Sequence, residues 1–138
     1  MARKLWLDTN VIIRIITGDP KELAQEAEDM ILKVETGELV LRLSAIVVAE
    51  CCWVLESFYE AHPTDISDTL LKFTNAIGVE TEEKPVVQQA LLDFSVKKVD
   101  FVDAYIAAHA KANPPEDVVT WDKHYKRLDI SHDRPRNW

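Results

Sequence analysis

Glycine is scarce in this chain, with three residues in 138, and there are only six prolines and two cysteines. So little glycine and proline, beside 47% hydrophobic and 29% charged residues, excludes collagen-like and low-complexity chains and describes a core-forming globular sequence. The length suits one compact domain, so residues 1–138 are read as a single domain. Cys51 and Cys52 are adjacent. Consecutive helical side chains diverge by about 100°, poor geometry for a disulfide, so both read as small buried hydrophobes in a reducing compartment. The four histidines, His62, His109, His124 and His132, show no paired ligand spacing, which speaks against zinc. The longest apolar stretches, at 11–16 and 44–55, are interrupted by charge or fall short of the roughly 18 residues that span a bilayer. After Arg3-Lys4 only the three apolar residues Leu5, Trp6 and Leu7 run up to Asp8, too few for a secretory signal, so the cytoplasm is the expected location. Basic charge is also short: 16 Lys and Arg against 24 Asp and Glu leave a net charge of −8. Whole-protein attraction therefore cannot hold a polyanion, and phosphate chemistry here needs bound cations or a local basic patch.

The apolar runs themselves are informative. Residues 3–7 read as a buried strand, followed by polar Asp8-Thr9-Asn10 and a short helix through Val11, Ile12, Ile13, Ile15 and Ile16. Asp19-Pro20-Lys21-Glu22 resembles a capping box with proline in the first turn, opening a helix to about Thr36 with Leu23, Ala27, Met30, Ile31 and Val34 inward. Leu39, Val40, Leu41 and Leu43 form a second strand, after which Ser44 caps a helix carrying Glu50 and Trp53. Further helices are predicted from about Thr64, from Pro85 and over 101–111, with brief strands at 79–81 and 118–121. Strands that are apolar blocks, alternating with helices, predict an α/β fold with a parallel sheet covered on both faces.

In such sheets functional groups collect beyond the carboxyl ends of the strands. Asp8 follows the first strand and Asp122 follows Thr120-Trp121 of the last. Each has two readings, a helix cap worth about 1 kcal/mol or a site residue. Glu50 lies in the apolar run Ala45-Ile46-Val47-Val48-Ala49-Glu50-Cys51-Cys52, where a carboxylate needs a cation, a hydrogen-bond network or an exposed helix face. Asp100 and Asp103 both sit at the start of a helix, where the dipole favours negative charge. Small apolar Ala104, Ala107 and Ala108 follow and place Asp103 at the rim of a core. Four carboxylates gathered from separate elements would repel one another, and a hard divalent cation resolves that repulsion. Such a set suits a metal-dependent phosphodiesterase, in which Mg²⁺ or Mn²⁺ activates water beside a phosphate.

Leu5-Trp6-Leu7-Asp8-Thr9-Asn10, then Ala49-Glu50, then Asp103-Ala104-Tyr105-Ile106-Ala107-Ala108 and finally Val118-Val119-Thr120-Trp121-Asp122 together resemble the PIN-domain ribonucleases. The short chain most resembles the VapC toxins of prokaryotic toxin–antitoxin pairs. This resemblance implies a three-layer α/β domain with a central parallel sheet of four or five strands, and Mg²⁺- or Mn²⁺-dependent endoribonuclease activity. Carried over by position, Asp8, Glu50, Asp103 and Asp122 match the family's acidic quartet. Asp8 and Asp103 would be the principal metal ligands, with Glu50 and Asp122 completing the cluster through water or a second metal. Thr9, Asn10 and Thr120 would orient the acids, and Asp100 would support them from outside the quartet.

The implied substrate is RNA, and Lys123, Lys126, Arg127, Arg134 and Arg136 are candidates to grip its phosphates, a solvated tail being the other reading. The implied partner is an antitoxin lying in a groove near the acids, with Trp53, Phe58 and Tyr59 either walling that groove or belonging to the core. Homodimers are common in the family. An alternative within it is a PIN-domain protein of RNA processing, or a non-catalytic binding module. A phosphoacceptor receiver domain would need an acidic pair after the first strand, and a haloacid-dehalogenase-type phosphatase needs Asp-x-Asp where Asn10 stands.

Overall fold

The computed structural model describes all 138 residues. They form two compact units, Met1–Lys84 and Pro85–Trp138. The fold is mixed α/β, as predicted, and every strand pairing in it is parallel.

In the first unit β1 (Arg3–Trp6), β2 (Leu39–Leu43) and β3 (Val79–Thr81) form one sheet in the order β1-β2-β3. Leu5 is level with Leu41, which is level with Val79. Central β2 carries the core residues Leu41 and Leu43, both fully buried and on one face of the strand, while Val40 and Arg42 on its other face are half-buried. β1 departs from its prediction as a buried strand. It lies at the edge of this sheet, and Trp6 is 61% exposed, its ring under the Arg42 guanidinium at 5.6 Å. Only Leu5 and Leu7 of this run turn inward, the alternation of a strand with one covered face.

Four helices accompany the sheet: α1 (Thr9–Thr17), α2 (Lys21–Glu35), α3 (Ala45–Ser57) and α4 (Pro63–Thr74). α1 ends at Gly18, whose φ of 69° gives the left-handed cap that glycine favours. The expected capping box of α2 does not form. Pro20, not Asp19, takes the N-cap, with no side-chain cap bond. Of the predicted inward residues of α2, Ala27 and Val34 are buried, whereas Leu23 is 47% exposed and Ala24 takes the inward place. Ser44 does cap α3, accepting a hydrogen bond from the Val47 N–H at 3.3 Å.

Gly78, just before β3, joins two constraints. Its φ is +85°, and an added Cβ would collide with the Val34 side chain of α2. Gly78→Ala is therefore expected to lower stability by about 2 kcal/mol, combining backbone strain with overpacking. A thermal melt falling by several degrees checks it, and an unchanged melt would show that α2 yields freely.

The second unit holds α5 (Lys84–Val96) from its second residue on, α6 (Phe101–Ala112), β4 (Val118–Val119), a 3₁₀ turn at Lys123–Leu128 and β5 (His132–Asp133). Val86, Ala90, Leu91 and Phe94 are buried on α5 as its spacing predicts. β4 pairs with β5 in a separate two-stranded sheet. The five strands are thus divided three and two between two sheets, and the second strand of the smaller one was not anticipated.

Candidate functional site

Asp8 is fixed by the end of β1. The Leu7 N–H bonds to the Arg42 carbonyl at 3.0 Å, which extends the ladder to its doorstep. Asp8 then caps α1, with Oδ1 accepting from the Thr9 N–H at 2.9 Å. Thr9 is buried and Asn10 exposed. Both readings of Asp8 therefore stand together, because a cap that engages one carboxylate oxygen leaves the other for a ligand.

Glu50 lies on the exposed side of α3 and so escapes the cost of burial, while Cys51 and Cys52 beside it are buried and free. Burial pushes the Cys51 thiol up to about 12, and the negative charges of Glu50 and Asp8 add to the rise. One buried sulfur thus feels both candidate site carboxylates of this unit. Burial likewise raises the Cys52 thiol. Trp53 and Phe58 are 60% and 71% exposed and meet edge to face at 5.5 Å. Tyr59 is also exposed, which removes all three aromatics from the core.

In the second unit Asp100 occupies the N-cap of α6 but makes no side-chain cap bond. Asp103, in the first turn, is held instead by the Tyr125 hydroxyl, which donates to its Oδ1 at 3.1 Å. Tyr125 is 3% exposed, at the foot of this arrangement. Asp122 follows β4, its N–H bonded to the Thr120 hydroxyl at 2.9 Å and its Oδ1 accepting from the His124 N–H at 2.8 Å. Thr120 thus orients Asp122 through the backbone. The Asp103 carboxyl lies above the usual carboxylate range. Partial burial is the main cause, opposed by the Tyr125 bond and reinforced by repulsion from Asp122 and Asp100 and by a contact with the Asp122 side chain itself. Burial and the Asp103 charge also raise the Tyr125 phenol. A carboxylate pair of this kind favours positive charge beside it.

Of the five basic residues expected to form a patch, Lys123, Lys126, Arg134 and Arg136 line a cleft of about 430 Å³ that also contains Thr120 and Asp122. Arg127 is directed elsewhere, donating to the Lys98 carbonyl at 3.0 Å.

The donor set is carboxylate oxygen throughout, which fits a hard cation that keeps water in its other positions. Within neither unit are three or more His, Cys, Asp or Glu side chains gathered in a group able to hold a metal ion. Tyr125 and His124 are the contributors that sequence reasoning missed. A lone aromatic three residues beyond Asp122, in an otherwise basic stretch, was the available signal.

A family model described as "PIN domain" matches residues 5–131. A protein of Aquifex aeolicus (strain VF5) described as "VapC ribonuclease" is 24% identical over 122 residues, 88% of this chain and 90% of that protein. No solved structure gives a significant match. No helix is long and apolar enough to cross a membrane.

Proposed function

The chain belongs to the PIN domain family, and from that premise we propose that it is a metal-dependent endoribonuclease, the toxin of a VapBC-type toxin–antitoxin pair acting in the cytoplasm. The observation that carries this reading is the Asp103–Asp122 carboxylate pair together with the cleft of Lys123, Lys126, Arg134 and Arg136 around Asp122. One group asks for a cation and the other for phosphates. The similarity to a relative described as a ribonuclease supports the choice of RNA.

In this proposal residues 1–138 work as one nuclease domain, and Asp8, Glu50, Asp103 and Asp122 supply its carboxylates. Asp8 offers the oxygen that its cap leaves over, while the Thr9 N–H fixes the other. Tyr125 holds the Asp103 carboxyl in a single orientation, and Thr120 does the same for Asp122 through its N–H. Asp100 deepens the negative potential around Asp103. Mg²⁺ or Mn²⁺ bound to these oxygens would supply activated water and neutralise charge on the scissile phosphate. The basic residues of the cleft hold neighbouring phosphates and so set the position of the strand. Exposed Trp53 and Phe58 supply apolar area for an antitoxin.

The test is to purify the chain free of any partner and incubate it with total RNA in Mg²⁺, Mn²⁺ or EDTA, beside Asp8→Asn. Cleavage is expected with metal and the parent chain only. Cleavage that persists in EDTA or in the variant overturns the mechanism.

A further inference from the structure

A second cleft, of about 470 Å³, opens between α1 and α2. Asn10, Val11 and Arg14 line it from α1, and Leu23, Glu26 and Met30 from α2, two faces at helical spacing. Its floor is apolar, yet its polar groups are unusual. The Nε of Arg14 is buried with no hydrogen-bond partner, a donor that normally finds an acceptor when withdrawn from water. Across from it Glu26 brings an acceptor-only carboxylate, and Asn10 offers both kinds of group.

From this juxtaposition we infer that the cleft is a guanine-binding pocket, selecting the RNA base near the cleavage position. The inference rests on the ribonuclease reading above. Guanine presents two acceptors, O6 and N7, on one edge, a match for an arginine fork. On its other edge it presents two donors, N1–H and the N2 amino group, a match for a carboxylate. Adenine, cytosine and uracil each offer Glu26 fewer donors or Arg14 fewer acceptors. Leu23 and Met30 supply apolar surface and a polarisable sulfur for the faces of the ring. Glu26 repels phosphate, so the cleft suits an uncharged base. Its place in the chain fits this use, since Asn10 stands two residues after Asp8 on the helix that Asp8 caps.

The test titrates the metal-free protein with the 5′-monophosphates of guanosine, inosine, adenosine, cytidine and uridine, followed by NMR. Guanosine monophosphate is expected to shift the Asn10, Arg14 and Met30 signals and to bind about tenfold more tightly than the adenosine, cytidine or uridine compounds. The inosine compound, without the N2 amino group, should bind about tenfold more weakly than the guanosine one, and Glu26→Gln should erase that difference. Arg14→Lys should weaken the guanosine compound by about tenfold. Equal binding of all five, shifts outside the cleft, or an undiminished preference in Glu26→Gln would overturn the proposal. So would a protein partner that perturbs Asn10 and Leu23 while the nucleotides leave them unmoved, since the cleft would then be a protein-docking groove. Cleavage of RNA with no binding of guanosine monophosphate removes the pocket and keeps the nuclease. Binding in the cleft by a chain that cleaves no RNA does the reverse.

Discussion

Asp103→Asn is expected to lower RNA cleavage by about 10³-fold while raising the thermal midpoint of the metal-free protein by about 2 °C. The two effects have one cause. Asn keeps the acceptor oxygen for the Tyr125 hydroxyl and nearly the same shape, but removes the charge that burial, Asp122 and Asp100 all disfavour. Asp103 is protonated more readily in the folded chain than in the unfolded one. Its ionisation therefore costs stability as pH rises from the unfolded-state value through the raised folded-state value. Because the side chain is only partly buried, solvent screens the cost and the gain is small. The loss of activity is larger, since several kcal/mol of metal-centred charge stabilisation depend on the ligand. RNA cleavage and melting curves on the same preparations decide the matter. Lost activity with a lower melting point would assign Asp103 a structural role and remove it from the site.

Replacing Lys123, Lys126, Arg134 and Arg136 together by Gln should weaken binding of single-stranded RNA by about 10²-fold or more at low salt. The slope of log K against log salt should become shallower by about 3, at roughly 0.7 per phosphate contact. With a net charge of −8, the chain cannot replace this local field by a general one. Arg127 is the internal control. It is as basic as its neighbours but bonded to the Lys98 carbonyl, so Arg127→Gln should leave the salt slope almost unchanged. Titrations of Asp8→Asn in EDTA, where RNA stays intact, measure both. Equal losses from Arg127 and Arg134 would replace the cleft by diffuse attraction.

Sequence patterns and folded outcome agree where a signal is dense and local. Leu39–Leu43 occurs as the apolar block that predicts a strand, Val79–Thr81 as the brief strand expected after Gly78, and the inward spacing of α5 holds residue by residue. Agreement fails where tertiary context decides. Trp6 looks like a core residue in an apolar run, yet the edge position of β1 within its sheet leaves the ring to Arg42 and solvent. β5 is His132–Asp133, two polar residues with no periodicity to detect. Asp19 carries a capping signal that the backbone around Pro20 does not use. The acids of the candidate site were named from ordered motifs, each weak alone. What binds them was not readable, because Tyr125 reaches Asp103 from 22 positions away and no local rule joins the two. The helix-cap explanation of Asp100 and Asp103 was sound as physics, but the Asp100 side chain makes no cap bond.

The paired thiols have a practical corollary for anyone handling this molecule. Cys51 and Cys52 are buried and that burial raises both thiols, so alkylating and oxidising reagents, which need an accessible thiolate, find little to attack. A single cysteine engineered onto the surface would then take a maleimide dye alone, giving a clean optical reporter without first deleting the native pair.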